Sequence, residues 1–235
     1  MRTEKAARFS DYKSLSSGDL YFLVYRGLIR DLERAIFANA RGRVLDIGCG
    51  NKPYEAAFAG RTTGYVGCDV MQSDRERVDI LCEATRIPVP DESFDTVFST
   101  QTIEHVADHR GLIAEAFRVL KPGGVFILSG PMYWHLHEEP HDFFRFTEHG
   151  FRFLLSGVGF KVQEVIPNGG MWATCGQCIL HSFMNSKSRH WLLRTARYAF
   201  FKLRGHRLVN WLFSRLDDLD NNPINPMNYV VVARK

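Results

Sequence analysis

Val44-Leu45-Asp46-Ile47-Gly48-Cys49-Gly50, followed 19 residues after Gly50 by Asp69, decides the fold of this 235-residue chain. Val44 to Ile47 has the apolar character of a short buried strand. The two glycines then let the backbone turn tightly and approach a ligand where a Cβ would intrude. Gly64-Tyr65-Val66-Gly67-Cys68-Asp69 predicts a second strand, and Asp69 stands at the spacing at which a carboxylate hydrogen-bonds ribose hydroxyls. A dinucleotide fingerprint requires a third glycine. The series from Gly48 runs Gly-Cys-Gly-Asn-Lys-Pro, with Pro53 in that place, which disfavours a pyrophosphate. Asp46, two residues before the first glycine, instead brings a carboxylate to the turn, suited to a cationic or amine-bearing ligand.

Further segments follow in a definite order. Ile80-Leu81-Cys82-Glu83-Ala84 leads into Ile87-Pro88-Val89-Pro90; DESFDTVFSTQTIEHV spans 91–106, with Phe94 to Ser99 as its strand; RVLKPGGVFILSGP spans 118–131. Together with the glycine turn, these motifs resemble the class I S-adenosylmethionine-dependent methyltransferases of the type 11-like group, over about 90 contiguous residues. The resemblance implies an α/β, Rossmann-like sheet of seven mostly parallel strands in the order 3-2-1-4-5-7-6, with helices on both faces. It implies S-adenosyl-L-methionine as cofactor. Asp46, Gly48, Cys49 and Gly50 would form the methionine-side turn, Asp69 and Val70 the ribose clamp, and Glu83 and Ala84 the adenine edge. Gln101, Glu104 and His105 would line the mouth of the site, Gln101 on the cofactor side.

Composition agrees with one domain over 1–235: 45% hydrophobic and 24% charged residues suffice for one substantial core and exclude a disordered or repetitive chain. Cys49, Cys68 and Cys82 fall within predicted strands or their turns, where cysteine acts as a small hydrophobe, so a reducing cytoplasm is the expected compartment. MRTEKAARFSDYK lacks the apolar core of a secretory signal, and no apolar run is long enough to span a bilayer. An N-terminal helical segment is expected within 1–40, its stripe of Leu20, Leu23, Val24, Leu28, Leu32 and Ile36 facing the sheet. Strands are expected near 44–47, 64–68, 78–82, 94–99 and 125–130. Phe151 to Gly157 predicts a helix entered through Thr147 as N-cap. Phe160 to Ile166 and Tyr229 to Ala233 are the remaining strands, which the resemblance makes an antiparallel closing pair.

From Val165 to Leu216 the chain contains no Asp or Glu, yet carries Lys187, Arg189, Arg194, Arg197, Lys202, Arg204, Arg207 and Arg215. Trp191, Leu192, Leu193, Tyr198, Phe200, Phe201, Trp211, Leu212 and Phe213 interleave with them, which predicts a basic, aromatic-rich helical insertion at about 172–220. Two readings stand open: peripheral contact with an anionic membrane, on its inner face, or packing on the domain or on a second copy in a homodimer. Nucleic acid is disfavoured by a net charge of only +4 and the lack of a binding motif.

The candidate acceptor wall is 131–147, just past the fifth strand. Methyl transfer from a sulfonium is an in-line displacement, so rate comes mainly from positioning, with a base needed for a hydroxyl acceptor. His141, Asp142 and His105 are the candidate catalytic residues, His141 foremost as base. The alternative is that His141, Asp142 and Arg145 bond to one another and only shape the loop. HLHEEPHD lacks the standard zinc spacings, and Cys175-Gly176-Gln177-Cys178 has no second pair, so no metal is expected at either. PHDFFRFT, with the later Gly157-Val158-Gly159-Phe160, resembles a subgroup associated with methylation of glycans and lipid-linked saccharides, which makes a sugar hydroxyl the first expectation. A small aromatic or quinone-like acceptor is the alternative, since Tyr133, Trp134, Phe143, Phe144 and Trp172 can stack on a ring. A non-catalytic cofactor-binding scaffold is the third reading.

Overall fold

The strand that precedes the glycine turn is buried from Val44 onward, and the rest of the sheet is assembled around it. The computed structural model describes residues 15–235; the first part of the expected N-terminal segment, 1–14, lies outside the described residues. The chain runs α1 (Phe22–Asn39), β1 (Gly42–Ile47), α2 (Glu55–Phe58), β2 (Thr62–Asp69), β3 (Ile80–Leu81), β4 (Phe94–Thr100), a 3-10 turn (Ile103–His105) and α3 (His109–Val119). It continues with β5 (Leu120–Pro131), α4 (Glu148–Val158), β6 (Lys161–Asn168), α5 (Met171–Met184), α6 (Trp191–Lys202), α7 (Gly205–Asp220) and β7 (Asn228–Arg234).

The strand order is β3-β2-β1-β4-β5-β7-β6, as the resemblance implied. β1 runs parallel to β2 and β4, and β4 to β5, while β7 is antiparallel to both β5 and β6. Alternation along each strand feeds two cores. Leu45, Ile47, Val97, Phe126 and Leu128 meet Leu112 and Ala116 of α3 and Phe151 and Leu155 of α4 on one face. Val44, Phe98, Ile127 and Val230 meet Leu28, Leu32 and Ile36 of α1 on the other. Each such fully buried Leu, Ile or Phe contributes about 1.5–3 kcal/mol, so both faces are fixed by the same strands.

Local signals account for the helix ends. Thr147 caps α4 by accepting from the Gly150 amide at 3.1 Å, and Gly159, at φ +110°, closes it in the left-handed region. Asp108 caps α3 by accepting from Gly111 N at 2.9 Å. The expected proline-glycine turn at 121–124 is absorbed into β5: Phe94 pairs with Leu120, and Thr96 pairs next with Val125. The extra residues bulge where Gly123, at φ +73°, supplies the turn.

The insertion after β6 divides in two. Ala173 and Leu180 of α5 share a buried cluster with Leu23 and Val24 of α1 and Met227, against which Val209 and Phe213 of α7 pack. Asp217 accepts from Gly170 N and Ala173 N, and Trp172 Nε1 donates to Asp220 at 2.9 Å, pinning α5 to α7. Helix α6 has no buried residue; Phe200 stacks on Phe183 of α5 with ring centroids 4.1 Å apart, and Arg197 donates to Ser186 O and Met184 O.

Candidate active site

Glycine geometry shapes the turn after β1. Gly48 and Gly50 sit at φ +78° and +49°, and a Cβ on Gly48 would lie 2.3 Å from Thr102 Oγ1. The amides of Gly48 and Cys49 donate to Cys68 O at 2.8 and 3.1 Å, tying the turn to the end of β2. Asp69 Oδ2 accepts from Gly50 N at 3.1 Å, so the acid at the end of β2 also sets the loop; Val70 beside it is exposed. Asp46 is buried, its Oδ2 accepting from Tyr65 OH at 2.6 Å and its Oδ1 without a hydrogen-bond partner among the described residues. Burial pushes its carboxyl up to about 7, against the Tyr65 hydrogen bond, which favours the charged form. A buried carboxylate oxygen lacking a donor, next to a turn that tolerates no Cβ, fits a ligand bearing positive charge.

Two loop residues serve the scaffold. Lys52 pairs with Asp79 at 2.5 Å, and Asn51 Nδ2 donates to Asp74 at 2.7 Å, so both brace the turn, while Asn51 Oδ1 is buried without a hydrogen-bond partner among the described residues. Glu83 is exposed beyond the end of β3, and Ala84 packs against the first core cluster. Gln101, at φ +50°, donates through its amide to Ser129 O and through Nε2 to Ser129 Oγ, both at 3.2 Å. Its side chain is thereby turned toward β5.

The loop after β5 is organised around Glu104. Phe143 N donates to the Glu104 carbonyl at 2.9 Å, which brings the 131–147 loop back over the 3-10 turn. The Glu104 side chain is 1% exposed, and neither carboxyl oxygen has a hydrogen-bond partner among the described residues. Burial pushes it up to about 8. His105 Nδ1 lies 2.7 Å from the His141 carbonyl oxygen, which makes Nδ1 the protonated nitrogen; Nε2 is 3.9 Å from Glu104 Oε1. His137 stands beside it, ring centroids 4.7 Å apart, with Nδ1 3.2 Å from Asp142 Oδ2.

Asp142 is an anchor. Its oxygens accept from Arg145 at 2.6 and 2.8 Å and from His137 N at 3.1 Å, with the side chain 1% exposed. Burial alone would raise its pKa, but the Arg145 guanidinium and the His137 amide hold it well below the usual carboxylate range. Arg145 also donates to the carbonyls of Trp134, His135 and Phe144, so one ion pair staples the loop. The His141 ring, expected as base, is on the exposed side, and it is the carbonyl of this residue that meets the site. The sequence marks His137 only as one of a cluster with His135, His141 and Asp142, and Glu104 only as a residue at the mouth. The signal for both is the return of the loop, which no local pattern carries.

The wall is aromatic but differs from the expected set. Tyr133, Trp134 and His135 surround His181 of α5, with His135 and His181 centroids 4.3 Å apart and the His181 pKa lowered to about 4 by burial. Trp172 is not among them, being engaged with Asp220. Cys175 and Cys178 are free thiols on α5.

Comparison with known proteins bears on the strand and turn segments of the chain. Residues 45–128 match the family described as "Methyltransferase domain". A protein of Mycolicibacterium smegmatis named as a probable S-adenosylmethionine-dependent methyltransferase is 36% identical over 96 residues, 37% of each chain. A ubiquinone/menaquinone biosynthesis C-methyltransferase of Burkholderia mallei is 32% identical over 128 residues, 46% of this chain and 52% of that one. An S-adenosylmethionine-dependent methyltransferase structure from Archaeoglobus fulgidus superposes with TM-score 0.56 at 17% identity, covering 92% of this chain and all of the other, a likeness of fold. Over residues 45–128 the chain is similar to S-adenosylmethionine-dependent methyltransferases, and its sheet has the strand order of their fold. It spans between about a third and a half of the length of the curated relatives it matches.

Proposed function

We propose that the protein binds S-adenosylmethionine at the Gly48–Gly50 turn and methylates a hydroxyl of a sugar or lipid-linked saccharide. The observation that carries the acceptor class is the pair of imidazoles with directed tautomers beside a buried carboxyl at the strand ends. A hydroxyl must give up its proton as it is methylated, and a fixed Nε2 lone pair suits that task. When bound, the cofactor supplies an electrophilic methyl group. The protein's own part is to hold the acceptor in line with it, to exclude water with the aromatic wall, and to receive the proton at His105 or His137. The quinone-like alternative loses support because Trp172, one of the rings expected to stack on such an acceptor, is held away by Asp220.

Calorimetry with S-adenosylhomocysteine tests the cofactor half. Asp69→Ala removes both the ribose partner and the Gly50 anchor, and should weaken binding by about 2 kcal/mol, roughly 30-fold. Wild-type protein without affinity for this ligand would overturn the reading. Methylation of lipid-linked saccharides, and not of quinone precursors, is the expected acceptor result.

We infer also that α6 and the outer face of α7 rest on an anionic membrane surface. Trp191, Leu193 and Trp211 are 67%, 54% and 57% exposed, on helices that carry Arg194, Arg197, Lys202, Arg207 and Arg215. The acids that close α7 are spent elsewhere: Asp218 pairs with Arg26, and Asp217 and Asp220 hold α5. Apolar side chains at the level of unopposed basic ones match an acyl boundary under anionic headgroups, each charge contributing about 1 kcal/mol. No helix among the described residues is long and apolar enough to cross a membrane. Vesicles containing phosphatidylglycerol should pellet the protein at low salt, less so as salt shortens screening to about 8 Å. Arg197 donates to the carbonyls that end α5, so the charge-reversal variant should spare it. Arg189→Glu, Arg194→Glu and Arg204→Glu together should abolish pelleting with S-adenosylhomocysteine affinity unchanged. Wild-type protein left in the supernatant would instead assign the face to a second copy or another partner.

A further inference from the structure

Three side chains meet at the acceptor mouth from two segments: Glu104 and His105 from the 3-10 turn, and His137 from the loop after β5. One ligand atom of each lies within 4.8 Å of the others. No spacing within HLHEEPHD could have disclosed this, because two of the three residues precede that run by some thirty positions.

Three features of the cluster are those of a cation site. First, Glu104 is buried with both carboxyl oxygens unpartnered among the described residues, and interiors rarely leave such acceptors without a donor or a cation. Second, each imidazole is oriented through its far nitrogen, His105 by the His141 carbonyl and His137 by the Asp142 carboxylate. Metal-binding histidines are held in this way, by a carbonyl or carboxylate that selects the tautomer and points Nε2 at the ion. Third, Arg145, the cation whose charge acts on Glu104, is already bidentate to Asp142, so that charge is compensated within the loop.

We propose that Glu104, His105 and His137 bind a divalent first-row transition metal, with zinc as the reference ion. Two imidazoles and one carboxylate suit zinc, iron or cobalt better than magnesium or calcium, which prefer all-oxygen shells. Donors around a tetrahedral zinc stand roughly 3.3 Å apart, and the present spacing is 3.9 Å between Glu104 and His105 and within 4.8 Å across the cluster, so the side chains would have to draw inward by up to about 1.5 Å. Three protein ligands leave a fourth position, the pattern of metal sites that act on a substrate rather than hold a fold. Its occupant, an acceptor oxygen made more acidic by the ion, rests on the hydroxyl-methylation reading above; the metal site itself does not. A metal would occupy the nitrogen lone pairs that otherwise receive the proton, making His105 and His137 ligands; the hydroxyl would then lose its proton to solvent on binding the ion, before the methyl is transferred.

The test uses the full chain stripped with a chelator and titrated with zinc by calorimetry, and with cobalt by visible absorption, which reports ligand geometry directly. Wild-type protein should take up one equivalent of either ion. Glu104→Gln and His137→Gln should each weaken binding by about 100-fold or more, and Asp142→Asn by about 10- to 100-fold through loss of orientation. His190→Gln, on the exposed start of α6, should change nothing. S-adenosylhomocysteine affinity, measured on the same samples, should be intact in the Glu104 and His137 variants, which shows that they fold. Zinc uptake by wild type no tighter than by those two variants overturns the proposal. Zinc binding with no cofactor binding would leave the metal site standing and remove only the methyltransferase reading.

Discussion

Asp142→Ala should lower the unfolding free energy by about 3 kcal/mol, the cost of stripping the partner from a part-buried guanidinium, and the melting temperature by roughly 10 °C. Four hydrogen bonds vanish with the carboxylate, two from Arg145 and two from His137. Arg145 keeps its carbonyl partners at Trp134, His135 and Phe144 but loses its counter-charge. The loop carrying His137 then has nothing to fix the ring, and turnover should fall by about 100-fold or more, in the range of a lost acid-base group. Asp142→Asn, which keeps an acceptor for one Arg145 nitrogen, should fall between the two. Denaturant unfolding measures the first effect, and a loss under about 1 kcal/mol would show that the loop does not depend on this ion pair.

Stability should decline as pH rises from 5 to 8, and Asp46 should account for a separable part of the decline. Its folded-state carboxyl, raised by burial to about 7, binds a proton that the unfolded chain releases near pH 4. A raised acid contributes stability that is complete below the unfolded value and is lost as pH passes the folded one. Over this range the loss is on the order of 3 kcal/mol. Asp46→Asn retains an acceptor for Tyr65 OH and cannot ionise, so the difference between wild type and variant should grow with pH. Parallel unfolding curves at pH 5 and pH 8 for the two proteins would contradict a protonated Asp46. A cationic ligand in the cradle should reverse the trend by favouring the carboxylate.

What could be foreseen from the residues alone was what is local. Val44–Ile47, the Gly48 and Gly50 turn and the Thr147 cap are each determined within a few positions by sterics and hydrogen bonding, and each stands where the residues indicated. The strand order came from the resemblance, since periodicity cannot tell β7 to lie between β5 and β6. The geometry of the glycine turn was legible in the residues, whereas the return of the 131–147 loop over the 3-10 turn was not. His141 looked like a base because its type suits the role, but the Asp142–Arg145 pair and the Phe143–Glu104 hydrogen bond turn its ring outward and bring His137 in. Amphipathicity in 191–202 was plain, whereas the bareness of α6 depends on α5 and α7 docking to α1 without it.

The position of β7 bears on how the protein reaches this state. Among the described residues β6 has no neighbour in the sheet other than β7, which follows some sixty residues later, after three helices. Until then β6 is an open ribbon, and β5 exposes the edge that β7 will cover. The entropic penalty of joining such distant partners grows only slowly with the length between them, and it shrinks further if α5 and α7 have already folded against each other. The helical excursion thus acts as a tether-shortener: its early collapse on α1 would deliver β7 to its slot. Substitutions that loosen α5 from α7 should therefore slow refolding, even though both helices lie outside the sheet.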